Sequence, residues 1–123
     1  MTSRSASAVS RDERIVGWLV CFAGSEVGRD FRIHDGSNSI GRAPANRICV
    51  NDATIAQSQH ASIVFNPADA SFSLRPGWSQ SRVFVNDKLV LYPLMLNPYD
   101  KITLGQSMFV FVPLCGDRFG WSR

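Results

Sequence analysis

The sequence predicts an all-β domain: a sandwich or small barrel of short, mostly antiparallel strands. Three observations carry this. Apolar residues cluster or alternate over short runs with the two-residue period of strands. Gly, Pro, Asn and Asp interrupt those runs again and again. No segment of helical length sustains a 3.6-residue apolar repeat. With 123 residues the chain makes one domain, and a domain of that size buries roughly two thirds of the surface its unfolded chain exposes.

The elements follow in order. RIVGWLVCFAG carries Ile15, Val16, Trp18, Leu19, Val20 and Phe22 and ends at Gly24, which predicts a strand buried on both faces. RDFRIHD alternates, placing Phe31 and Ile33 on one face, and Gly36 permits a tight turn. NSIGR and NRICV are short strands on either side of Pro44. HASIVFN is a strand stopped by Asn66-Pro67, and ASFSLRPG alternates through Phe72 and Leu74 to Pro76-Gly77. RVFVNDKLVLYP reads as two strands about an Asn86-Asp87 turn. YPLMLNPYD fits either a strand or a packed turn. DKITLGQSMFVFVPL is the last hairpin, turning at Gly105-Gln106.

Composition narrows the function. Hydrophobic residues make up 45% and charged residues 19%, an ordinary globular balance. The net charge of +3 is not gathered into a basic stripe, so nucleic acid is not an expected partner. No apolar run reaches the length of a membrane span, and no membrane association is expected. The Ser- and Ala-rich start, residues 1–12, lacks a long apolar core of the secretory kind and reads as a disordered lead-in. The domain is expected over residues 13–116, with a short tail at 117–123. In that tail, Phe119 and Trp121 have two readings: docking on a partner or folding back onto the domain. Cys21, Cys49 and Cys115 each lie in or beside an apolar run, without metal-ligand spacing. They are expected to be buried free thiols of a cytoplasmic protein, with no metal and no cofactor.

Catalysis finds little support. There is no nucleophile elbow, the aspartates Asp52, Asp69, Asp87 and Asp100 stand singly at turns, and no Gly-rich run opens a helix for nucleotide phosphates. An enzyme is therefore not expected. The Gly41-Arg42 pair is left. Glycine at a strand end marks a bend or a close backbone approach. It would leave Arg42 on the rim, where the guanidinium fork can hold two phosphate oxygens. Downstream, Gln57, Ser58 and Gln59 offer neutral donors, and no carboxylate intervenes between Ile55 and His60. His60 borders the apolar run Ile63 to Phe65, which favours a structural role in holding the loop over direct ligand contact.

Taken in order, SIGRAPANRICVNDATI, HASIVF, FSLRPG, VFVNDKLV, YDKITLG and FVFVPL resemble the forkhead-associated domain, in a bacterial-type version. The resemblance covers about residues 15 to 114. It implies a sandwich of about eleven strands whose loops read phosphothreonine peptides. Gly41 and Arg42 match the family's Gly-Arg pair, His60 and Ala61 its His-Ala pair, and Val85 and Asn86 its Val-Asn-Gly hairpin, with Asp87 in place of Gly. Arg42 is then the main phosphate contact, assisted by Ser58 and Gln57, while Gly41, His60 and Asn86 support the binding loops. Two positions depart from the family. Its phosphate-bonding Ser, three residues before the His, is Gln57 here, or Ala56 if the loop carries a one-residue insertion. Its peptide-clamping Asn falls in a stretch holding Ser81 and Arg82, which become the candidate peptide contacts, with Trp78 and Gln80 nearby. The implied partner is a protein phosphorylated on threonine by a Ser/Thr kinase. The alternative is a phospho-independent interaction or assembly domain.

Overall fold

The structure, a computed structural model, describes residues 8–78 and 81–121. The first seven residues of the expected lead-in, the last two of the tail, and Ser79 and Gln80 lie outside the described residues. Among the described residues there are eleven strands: β1 (Ile15–Ala23), β2 (Asp30–His34), β3 (Gly36–Gly41), β4 (Ile48–Cys49), β5 (Ala61–Asn66), β6 (Ser71–Pro76), β7 (Val83–Val85), β8 (Lys88–Leu89), β9 (Leu94–Met95), β10 (Lys101–Leu104) and β11 (Ser107–Pro113). They form two sheets, in the orders β2-β1-β11-β10-β7-β8 and β4-β3-β5-β6-β9. All strand pairs with a resolved register are antiparallel except β3–β4. The ambiguous segment around Leu94 is a strand, paired with Ser73 and Leu74 of β6. The helical content among the described residues is one 3-10 turn at Arg11–Glu13.

The inward faces of the two sheets make the core. Leu19, Ile33, Ile40, Ile63, Leu74, Ile102, Leu104 and Phe109 are fully buried, and each such side chain contributes about 1.5–3 kcal/mol by leaving water. Phe72 bridges the layers: its ring lies 4.8 Å from both Phe65 in its own sheet and Phe111 in the other. The spacing suits tilted and edge-on aromatic packing.

Two expectations are corrected. β1 is buried on one face only: Val16, Leu19 and Cys21 point inward, while Phe22 is 40% exposed. A two-layer sandwich has no third layer to cover the outer face of a sheet. Cys21 and Cys115 are buried and in no disulfide, but Cys49 is exposed. In the two-residue edge strand β4, Ile48 takes the inward position, and the alternation of side chains turns Cys49 outward. Burial pushes the Cys21 thiol above its ordinary value.

Turn chemistry follows the sequence. Asn86 and Asp87 have φ of +50° and +68°, the left-handed pair that a two-residue hairpin turn requires. At the C-terminus, the Trp121 indole Nε1 donates to Ile15 O at 2.8 Å and Arg14 stacks over the same ring at 5.4 Å. The described tail thus folds back onto the start of β1, which brings the two ends of the domain together.

One buried polar cluster ties the loop after β4 to the β10–β11 hairpin. Asp52 accepts hydrogen bonds from the Thr54 N–H at 2.9 Å, the Thr54 hydroxyl at 2.7 Å and the Ser107 hydroxyl. The Gln106 N–H donates to Thr54 Oγ1 at 2.8 Å. Burial alone would raise the Asp52 carboxyl; the Ser107 and Thr54 donors outweigh it and hold the group below its ordinary value of 3.8. A depressed carboxyl adds stability above the unfolded-state value, and that stability is lost as pH falls through the lower folded value. Asp52→Ala strands these donors and should destabilise the domain by about 1–3 kcal/mol. In chemical denaturation at neutral and acid pH, the difference between wild type and variant should shrink as the pH drops below 3.8.

Candidate functional site

Three loops meet at one end of the sandwich: residues 42–47 between β3 and β4, residues 50–60 between β4 and β5, and the described residues 77–78 and 81–82 between β6 and β7. Backbone hydrogen bonds lace the second loop to the first. The Arg42 N–H donates to Ala56 O at 2.9 Å, the Ala43 N–H to Gln57 O at 2.8 Å, and the His60 N–H to Ile40 O at 2.8 Å. The third loop joins through the Gly77 N–H, which donates to His60 O at 3.0 Å.

Two glycines make this approach possible. A Cβ on Gly41 would lie 2.5 Å from both the Asn46 side-chain nitrogen and Ser58 O, and one on Gly77 would lie 2.0 Å from Gln59 O. Either would force the loops apart. The vacated space beside Gly41 holds the Asn46 side chain, whose Nδ2 donates to Ala43 O and Gln57 O at 3.0 Å each.

His60 sits at the centre of the three loops, 1% exposed. Its Nδ1 accepts from the Ala56 N–H at 2.9 Å, and its Nε2 faces Arg82 O at 3.0 Å. These partners fix the tautomer: Nδ1 carries the lone pair, and Nε2 carries the proton donated to the carbonyl. The ring therefore ties the second loop to the third and has no nitrogen left over for a ligand.

Around this clasp the polar side chains face outward. Arg42 is exposed. Its Nε donates to Ile55 O at 3.2 Å, which fixes the base of the guanidinium against the second loop. Among the described residues no carboxylate forms an ion pair with it. Gln57 and Ser58 are exposed on the segment bonded to the first loop. Ser81 is half-buried and Arg82 exposed at the His60 side of the third loop, and Trp78 at its start is 93% exposed. Arg42, Gln57, Ser58, Ser81 and Arg82 thus all lie on the three laced loops, with Gly41 and His60 beneath them. Asn86 lies elsewhere, at the far end of β7 from Arg82. There it braces the β7–β8 hairpin through Lys101 N–H to Oδ1 at 3.0 Å and Nδ2 to Asp100 at 2.9 Å.

Sequence reasoning missed Asn46, Gly77 and the Asp52–Thr54–Ser107 cluster. Gly77 had a signal, since a glycine following a strand-ending proline marks a special backbone position. Asn46 had none that separates it from any turn asparagine. Among the described residues no group of three or more His, Cys, Asp or Glu is placed to hold a metal ion.

The profile of the FHA domain family matches residues 38–105, more than half the chain. The chain belongs to the FHA domain family. No curated protein matches it. Among solved structures, one from a study of phosphothreonine-dependent FHA domain interactions is 26% identical, covering 79% of this chain and 95% of that one with a TM-score of 0.69. The FHA domain of CT664 from Chlamydia trachomatis is 22% identical over 81% of this chain and 99% of its own, with a TM-score of 0.72. The yeast Dun1 FHA domain, solved with a doubly phosphorylated peptide, is 17% identical over 95% of this chain and 87% of its own, with a TM-score of 0.74. The last two show a shared fold. The expected eleven-stranded FHA sandwich is the fold of this chain.

His60→Ala should cost about 2–4 kcal/mol, because it opens a cavity where the buried ring stood and removes the partner of the Ala56 N–H and the Arg82 carbonyl. Hydrogen exchange should quicken at Ala56 and through residues 77–82 well before the sheets are affected.

Proposed function

We propose that the chain is a phosphopeptide-binding module that recognises phosphothreonine in a protein partner modified by a Ser/Thr kinase. The observation that carries this reading is Arg42. It is exposed, anchored through Nε, and borders a segment, residues 55–60, that contains no carboxylate. The terminal nitrogens of its guanidinium project from a fixed base, so they can take two phosphate oxygens with little loss of side-chain freedom. The Ser58 hydroxyl and the Gln57 amide are the neutral donors next in line. Ser81 and Arg82, across the His60 clasp, are the proposed peptide contacts. Preference for threonine over serine would rest on burying the γ-methyl, worth roughly 0.8 kcal/mol.

Membership of the FHA family supports a binding role, and the neighbour studied for phosphothreonine-dependent interactions supports the choice of phosphorylated residue. The proposed module needs neither cofactor nor metal and performs no catalysis. Its proposed setting is the cytoplasm, where kinase substrates and free thiols coexist, with no role for nucleic acid or membrane. Among the described residues no helix is long and apolar enough to cross a membrane.

Calorimetric titration with a phosphothreonine peptide and its plain copy tests the reading. Arg42→Ala should weaken phosphopeptide binding about 30-fold or more while leaving the melting temperature unchanged. Arg42→Lys should recover only part of the loss, because an ammonium cannot reproduce the fork. Ser58→Ala should cost less than either. Affinity should also fall below about pH 6, as the phosphate takes up its second proton. Equal affinity of the wild type for both peptides would transfer the function to phospho-independent assembly.

A further inference from the structure

Both sheets leave a free edge on the same flank. β8 ends the six-stranded sheet, β9 ends the five-stranded sheet, and residues 90–93 run from one to the other. This flank is unusually apolar. Leu91 is 67% exposed, Tyr92 78% and Met95 56%, with Leu89, Leu94 and Tyr99 also open to solvent. A groove of about 460 Å³ runs between them. Tyr99, on the turn beside it, is held at a φ of +67°, a conformation that costs a bulky residue on the order of 1 kcal/mol.

The opposite flank is different. There the edge strand β2 carries exposed Asp30 and Arg32, the charged protection that keeps free edges from pairing. On the β8–β9 flank the charges Asp87 and Lys88 lie at the β8 hairpin, and the edge strand β9, which follows Pro93, carries none.

We propose that the β8–β9 flank is a two-fold interface between two copies of this chain. Three features favour a second copy as the occupant. First, six large apolar side chains, Leu89, Leu91, Tyr92, Leu94, Met95 and Tyr99, stand exposed on this one flank, a clustering that monomeric surfaces rarely carry and that marks a protein interface. Second, the charged residues lining the groove are one Lys88 and one Asp100. They cancel, so two copies meet there without net repulsion, although each chain carries +3 overall. Third, the outer edge of β9 offers backbone donors and acceptors. Antiparallel pairing about a two-fold axis matches such an edge with itself, and this is the geometry of the commonest homodimers.

The interface leaves the three loops free. None of the residues lining the groove belongs to residues 42–47, 50–60 or 77–82. A dimer built this way presents two rims at once and would gain avidity for a partner carrying two recognised segments.

Sedimentation velocity and light scattering on the full chain test this, with Leu91→Asp and Met95→Asp as separate variants. The wild type should show a mass twice 13.6 kDa, with a dimer dissociation constant below about 100 µM. Each variant should weaken the dimer about 30-fold or more and leave the monomer folded, since both side chains are exposed in the single chain. A wild-type mass of 13.6 kDa throughout that concentration range would overturn the proposal. So would a dimer that survives both substitutions.

Discussion

The candidate site depends on one buried imidazole. His60 accepts from the Ala56 N–H and donates to Arg82 O, and it is the side chain that joins the second loop directly to the third. Loops without regular structure carry backbone groups that must find partners or water. Here a single buried ring satisfies one donor and one acceptor. The positions of Ser81 and Arg82 relative to Arg42 follow from that ring.

Beneath the clasp, the sheets fix where the loops begin. Ile40, at the end of β3, is fully buried, and its carbonyl takes the His60 N–H, so the start of β5 is registered against β3 at the rim itself. On the other side of the second loop, Asp52 and Thr54 dock it onto the β10–β11 hairpin. Gly105, with a φ of +58° and no room for a Cβ beside Thr54, lets the hairpin come close enough. The second loop is thus held from three sides: by the first loop, the third loop and the opposite sheet. Arg42 consequently leaves the rim from a base tied to the second loop through Ile55 O, the arrangement on which its proposed role as a preorganised anion contact rests.

Much of the fold was legible in the sequence, because strands of a two-layer sandwich need alternation and their turns need particular residues. Asn86-Asp87 and Gly105 announced their hairpins for that reason. β9 was not legible: Leu94 and Met95 lie between Pro93 and Pro98 and pair with β6 over only two residues. The outward turn of Cys49 was hidden for a related reason, since a two-residue strand has no alternation to read. At the site, the local signals were legible, Gly41-Arg42 and the carboxylate-free stretch before His60 among them. The crossings were not. The bond from Arg42 to Ile55, the bond from Asn46 to Gln57 and the close approach of Gly77 to Gln59 each join residues more than ten positions apart in the chain. No local pattern encodes them.

Phosphate recognition by Arg42, on loops that His60 ties together, is the proposed role of this end of the sandwich. The most direct measurement is a nitrogen-15 NMR titration with a phosphothreonine peptide and, in parallel, its unphosphorylated copy. The account predicts shift changes at the Arg42 guanidinium and at the amides of the three loops with the phosphorylated peptide only. It also predicts that the His60 ring keeps its proton on Nε2 throughout. Changes centred away from those loops, the same changes with both peptides, or a His60 ring proton on Nδ1 would contradict it.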